Sequence, residues 1–204
     1  MKFRAVLASL ALAACVFSPE RQARGGGSDT ETLTGVVTGP SGAGAAGVQV
    51  KLIPAGYDPS RPEAARIRRT RTGSDGSFRF EKVDTAAAWN LIAGETGLAA
   101  WAFADGVRAG GSPRSLALSA PKVFLVSLHA TVYAAKDSGI AYFPGTDILT
   151  RCDARSVSRL DSVPAGASRI VIESRAGWKH DTTLVSVADT AKVVADSAGI
   201  RITP

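Results

Sequence analysis

Cysteine is nearly absent from the sequence: its 204 residues hold two, Cys15 and Cys152. Two thiols are too few for a disulfide framework or a thiolate zinc site. Histidine is as scarce. His129 and His180 would need carboxylates such as Asp137, Asp153 or Asp181 beside them to hold a metal, and no H-x-H or H-x-x-x-H spacing exists. Aromatics make up 6% of the chain, which argues against a large aromatic-lined ligand cavity. No G-x-S-x-G motif is present, so nothing supports a serine nucleophile. Beyond the N-terminus no apolar run reaches the roughly 18 residues of a membrane-spanning helix. No segment keeps a helical period through three turns, so helix content is expected to be low. What remains is an ordinary globular composition, with 45% hydrophobic and 21% charged residues and 24 Lys+Arg against 18 Asp+Glu, a net +6. It is too apolar for a disordered tail, and the length allows one or two domains of about 100 residues each.

The N-terminal thirty residues bear on the compartment. Lys2 and Arg4 form a short positive region, and Ala5 to Ala14 is a run of Ala, Val, Leu and one Ser, too short to span a bilayer. It ends in Leu12-Ala13-Ala14-Cys15, which resembles a bacterial lipobox: small side chains fit a peptidase cleft, and the thiol is the nucleophile that becomes a thioether. The alternative is an ordinary signal-peptidase site with an incidental cysteine. The first reading makes residues 1–14 a lipoprotein signal peptide and Cys15 the lipidated residue. It implies a membrane anchor in the bacterial cell envelope. Val16 stands where an Asp is an inner-membrane retention signal, so the resemblance points to the outer membrane. Residues 15–31 are otherwise polar and contain Gly25-Gly26-Gly27, a flexible tether of about 20 Å root-mean-square length.

From Thr32 the chain reads as short strands separated by turns. Val48, Val50 and Leu52 alternate with Gln49 and Lys51, the pattern of a half-buried strand. Ser74-Asp75-Gly76 supplies a tight turn, and Phe78 and Phe80 alternate with polar residues after it. Arg66 to Thr72, Trp89 to Ala93 and Ala99 to Ala104 are further extended segments. The expected class is all-β, one or two transthyretin-like or Ig-like β-sandwiches behind a signal peptide and tether.

Gly35-Val36-Val37, Gly47-Val48-Gln49-Val50-Lys51-Leu52, Thr72-Gly73-Ser74-Asp75-Gly76-Ser77-Phe78-Arg79-Phe80, Val83 and Trp89-Asn90-Leu91 occur in that order. This series resembles the carboxypeptidase regulatory-like domain, over about residues 32–95. The resemblance implies a transthyretin-like sandwich that is a non-catalytic appendage in its family. Gly73 and Ser74 depart from the acidic start of the family's turn, Asp84 stands in place of its Pro, and Trp89 replaces its Tyr.

A weaker echo follows. Ser138 to Phe143 echoes the Gly47 strand, Cys152 to Leu160 takes the place of the Asp-Gly hairpin, and Val163-Pro164-Ala165-Gly166 restores a Val-Pro-x-Gly element. Ile170 and Ile172 alternate, and Thr182 to Val187 reads as a final strand. Self-similarity at about eighty residues suggests tandem sandwiches at 32–104 and 122–204 joined by 105–121. One larger sandwich built from both halves is the alternative.

Candidate binding residues are few. Arg66, Arg68, Arg69 and Arg71 form the densest basic run, either edge protection or a patch for anionic glycan or lipid head groups. Trp89 is expected in the core and Trp178 exposed; with Trp101, Tyr57, Tyr133 and Tyr142 they are the residues of any sugar-stacking surface, core packing being the alternative favoured for the set. Cys152 is expected as a partly buried, inert thiol. The sequence therefore points to a non-enzymatic, lipid-anchored envelope protein with a structural or binding role and no cofactor. Its partner would be a glycan or an envelope protein, nucleic acid being a poor partner for an exported chain. A carbohydrate-binding module is the alternative, and an envelope hydrolase a more distant one.

Overall fold

Alternation of apolar and polar residues sets the secondary structure throughout. The computed structural model describes residues 30–61, 67–94, 100–128, 138–167, 169–175, 177–184, 189–196 and 198–203, and in them every regular element is a strand. The first seven are β1 (Thr30–Thr38), β2 (Gln49–Pro54), β3 (Arg68–Arg71), β4 (Ser77–Asp84), β5 (Trp89–Ala93), β6 (Ala102–Val107) and β7 (Arg114–Ala117). They form two sheets of order β4-β1-β7 and β3-β2-β5-β6. The next eight are β8 (Lys122–Leu128), β9 (Ser138–Tyr142), β10 (Leu149–Asp153), β11 (Ser158–Val163), β12 (Arg169–Ser174), β13 (Lys179–Thr183), β14 (Thr190–Asp196) and β15 (Gly199–Thr203). Their sheets have the order β11-β8-β14-β15 and β10-β9-β12-β13.

Reading β8 for β1, β9 for β2 and so on converts the first pair of sheets into the second, with β15 added at one edge. In both, the opening strand runs parallel to the late strand beside it, β1 with β7 and β8 with β14, while the other pairings are antiparallel. Both also carry a register shift on the same strand pair, β1 with β4 and β8 with β11.

The alternating faces pack inward. Leu33, Val37, Val50, Leu52, Phe78, Phe80, Val83 and Leu91 are buried in one cluster, and Phe124, Val126, Phe143, Leu160, Ile170, Ile172 and Val193 in another. Each large apolar side chain so buried contributes about 1.5–3 kcal/mol. Trp89 joins the first cluster and donates its indole N–H to the Asp84 carbonyl at 3.2 Å. Gly35 lets the Phe78 ring lie across β1, since a Cβ there would collide with that ring and with the Arg114 carbonyl.

The Asp75-Gly76 turn forms as the sequence suggests. Asp75 Oδ1 accepts the Ser77 N–H at 2.9 Å, and Gly76 has φ 79°, a left-handed conformation that glycine adopts without steric cost. Thr72, buried beside it, accepts from Val48 N at 2.9 Å and donates to the Ala45 carbonyl at 2.6 Å.

Three expectations shift. Residues 105–121, read as a connection, carry the end of β6 and all of β7, which completes the first pair of sheets. Of the strand expected over Thr182 to Val187, Thr182 and Thr183 end β13, residues 185–187 lie outside the described residues, and two further strands follow. Of the Val123 to Val132 stretch, β8 takes up to Leu128 and the remainder lies outside the described residues, as do Cys15, Arg66, His129, Tyr133 and Asp137.

Candidate functional site at the joint between the sandwiches

The outer face of the β3-β2-β5-β6 sheet is not left to solvent. Ile53, Ile92 and Trp101 form a third buried cluster there, with Tyr57, Ile67 and Phe103 packed around it. Trp101 is held by reciprocal backbone bonds to Ser119, at 2.7 and 2.9 Å, and its ring lies against Gly94, where a Cβ would meet it. Its indole Nε1 is buried and has no hydrogen-bond partner among the described residues. The chain leaves β2 beside this cluster through Ala55 to Ser60. The turn after β9 meets it from the second sandwich.

That turn is shaped locally. Thr146 is buried, donates its hydroxyl to the Phe143 carbonyl at 2.7 Å and accepts the Ile148 N–H at 3.1 Å. Gly145, at φ 72°, then presents both its backbone groups to the first sandwich. Its N–H donates to the Tyr57 carbonyl at 2.7 Å, and its carbonyl accepts from Asn90 Nδ2 at 2.9 Å. Asn90 is itself buried, and its Oδ1 accepts the Gly106 N–H at 3.2 Å. A buried amide whose donor and acceptor are both used fixes geometry at little desolvation cost.

Charge closes the two sides of the joint. Lys51 Nζ lies 2.8 Å from Asp147 Oδ2, with side chains only 15% and 24% exposed, and 5.9 Å from the Trp101 ring centroid. Tyr142, buried on the outer face of β9, reaches Asp58 Oδ2 at 3.4 Å. Burial works to raise the Asp58 pKa, but hydrogen bonds from Ser60, at 2.6 and 2.8 Å, with the charge of Lys179 and the Tyr142 hydroxyl, hold it below the ordinary value. Lys179 is shifted upward, first by its hydrogen bond with Tyr142 and, against desolvation, by Glu173. Phe103 and Gly166 touch from the other side. Beside the joint a small cleft of about 220 Å³ opens between Phe103, Asp105, Phe143 and Arg169. Apart from the Trp101 indole N–H, the polar groups named at the joint are matched to other protein groups, the chemistry of a fixed connection.

The residues singled out in the sequence do not assemble into one surface. Strand β3 is an edge, as the basic run suggested, and its arginines divide. Arg68 turns inward over Phe80, 5.6 Å from its ring, and donates to the Glu81 and Lys82 carbonyls at 2.5 and 3.3 Å, stapling one sheet edge to the other. Arg69 and Arg71 are exposed, Arg71 donating to the Gly47 carbonyl at 2.8 Å. Trp178 belongs to the other sandwich, where it is half-buried against the second core and tilted over His180 at 5.2 Å. Cys152 is buried. Among the described residues no three His, Cys, Asp or Glu side chains gather as metal ligands. Asn90, Gly145 and Asp147 escaped sequence reasoning. The one available signal was Pro144-Gly145 directly after an apolar strand, which marks a turn but not what the turn touches.

No protein-family model matches the chain, and no curated protein does. Solved structures similar to it include the shaft pilin SpaA of Lactobacillus rhamnosus GG, at 10% identity and TM-score 0.31, over 86% of this chain and 98% of that one. The Streptococcal ancillary pilin is similar at 9% identity and TM-score 0.31, over 82% and 62% of the two chains. The Bacillus anthracis TIE protein is similar at 8% identity and TM-score 0.30, over 81% of this chain and 33% of that one. The chain thus spans a third of the TIE protein. At these scores the functional reading stands on the chain's own residues.

Proposed function

We propose that the chain is a non-enzymatic, lipid-anchored protein of the bacterial envelope whose two sandwiches, akin to carboxypeptidase regulatory-like domains, serve as a rigid structural spacer. The observation that carries the structural reading is the joint. Two sandwiches connected only by a strand-to-strand link would reorient freely. Here a buried amide donating to the Gly145 carbonyl, the bond from Gly145 N–H to the Tyr57 carbonyl and a half-buried ion pair span the boundary. A protein built to hold two bodies at a set angle benefits from such a connection. The Leu12-Ala13-Ala14-Cys15 sequence supports the anchor, and residues 15–31 the tether that holds the spacer off the membrane. An acylated N-terminus retains a protein through burial of its methylenes, at about 0.8 kcal/mol each.

Intact-mass analysis and membrane fractionation of the native protein, beside Cys15→Ala, test the reading. The expected result is a mature chain starting at acylated Cys15, membrane-bound, and a soluble Cys15→Ala variant. A native protein that is unacylated and soluble would overturn the anchor.

A further inference from the structure

Away from the joint, the outer face of the β10-β9-β12-β13 sheet is filled unevenly. Tyr142 and Val171, opposite each other on β9 and β12, are buried on it. Toward the start of β9 the same face lines a cavity of about 540 Å³, within the roughly 300–1,000 Å³ of small-molecule sites. The equivalent face of the first copy carries the Trp101 cluster instead. Strand alternation sets the cavity wall. Ile140 stands opposite Arg151 on β10 and Glu173 on β12, and Ser138, two residues earlier, stands opposite Asp153. Arg175 follows Glu173 by two residues and donates its backbone N–H to the Ser138 carbonyl at 2.9 Å. These six residues all line the cavity. The carboxylates among them are engaged: Asp153 Oδ1 accepts the N–H groups of Arg155 and Ser156 at 2.8 and 2.7 Å, and Glu173 pairs with Lys179 at 3.4 Å. The guanidiniums are not. Arg151 and Arg175 are exposed, and among the described residues neither side chain has an ion pair or hydrogen bond. Two strand spacings and a two-residue step put their Cα atoms about 12 Å apart, on either side of Ile140 and Ser138.

We infer that this cavity binds an anionic saccharide, its acid group held by Arg151 and Arg175. A guanidinium presents paired N–H donors in the geometry of a carboxylate or phosphate. No aromatic ring lines the cavity among the described residues, so a nucleobase has nothing to stack on. Ile140 is the one apolar side chain on its outward-facing wall, since Cys152 packs into the second core, and it offers too little surface for an acyl chain. What fits is a polar, ring-sized acid that lies over Ile140, with the Ser138 hydroxyl free to meet a ring hydroxyl.

Isothermal titration calorimetry of the full chain in detergent tests this apart from the anchor, with digalacturonate, glucose 6-phosphate, neutral galactobiose and inorganic phosphate as probes. At least one of the two acid sugars is expected to bind about tenfold more tightly than galactobiose or inorganic phosphate, and which one does so tells a carboxylate ligand from a phosphate ligand. Arg151→Gln and Arg175→Gln should each weaken that binding about tenfold with an unchanged circular-dichroism melt. Ile140→Trp, which fills the cavity at constant charge, should abolish it. Arg69→Gln, on the edge of the other sandwich, should leave it unchanged. The two glutamine variants carry the test if the tryptophan variant does not fold. Neither acid sugar binding at millimolar concentration, galactobiose or inorganic phosphate binding as tightly, or a loss that follows Arg69 rather than Arg151 and Arg175 overturns the inference.

Discussion

Lys82 and Ser162 are counterparts: each sits on the second strand of an equivalent pair, at a register shift, in the left-handed conformation, with φ 51° and 64°. They are the positive-φ residues other than glycine among those described. Two sequences that share few side chains here keep the same backbone kink, which bends β4 and β11 where each passes Val83 or Val163 into the core. A side chain in this conformation costs about 1–3 kcal/mol. Lys82→Gly and Ser162→Gly are therefore expected to raise stability by up to about 1 kcal/mol each, after glycine's larger unfolded-state entropy is offset. Urea midpoints measure it, and a loss of stability in both variants would mean that the side chains hold the bulge.

Gly145→Ala is the sharpest test of the joint. A Cβ there meets Asn90 Nδ2 and the Ala55 carbonyl, on a backbone at φ 72°. The expected cost is about 1–3 kcal/mol. Small-angle scattering should also show a broader range of maximum dimensions as the sandwiches separate. Unchanged scattering and melting would show that the turn does not hold them.

Lys51 and Asp147 supply the electrostatic part. At 2.8 Å and largely shielded from water, the pair should couple by about 1 kcal/mol in a double-mutant cycle of Lys51→Met and Asp147→Asn, more than an exposed pair gives. Denaturant unfolding at low and at high salt measures it, and a coupling near zero removes the pair from the joint.

Acid should loosen the joint at Asp58 and, away from it, the turns at Asp75 and Asp153. Asp58, Asp75 and Asp153 are all held below their ordinary pKa. Such groups add stability that is fully present above the unfolded value, near pH 4, and is lost as pH falls through the lower folded value. Asp58→Asn should flatten the fall in stability below about pH 4. Melting temperatures from pH 7 to pH 2 check the slope, and an identical profile in the variant assigns the acid sensitivity elsewhere.

The parts legible in the sequence were those fixed by neighbours along the chain. Phe78 and Phe80 alternate and lie on one face, and Asp75-Gly76 makes its turn with bonds spanning two or three residues. Strand β7 was missed because a short edge strand with one buried residue, Leu116, leaves almost no pattern. In β14 the alternation is there, in Ala191, Val193 and Ala195, but small residues blur it. Asn90 and Gly145 lie 55 residues apart, and nothing periodic links them. The same holds for Trp101, whose position over Gly94 depends on a sheet face that looked solvent-exposed. Arg68 read as part of a charged surface because sequence gives no sign that a guanidinium can span from one sheet edge to the next.

The parallel pairing of β1 with β7, and of β8 with β14, has a consequence for the order of events in synthesis. The first strand of each copy finds its parallel neighbour only after almost the whole copy has been made, so neither sheet can close on a partial chain. Contacts of such long sequence separation slow folding. On the ribosome, the first sandwich would stay open until Ala117 has left the tunnel, and the second until Asp196 has. Its joint to the first, made by a turn just after β9, becomes available well before that. Truncated chains ending at 110 and at 125, released from the ribosome, should therefore differ sharply in protease resistance.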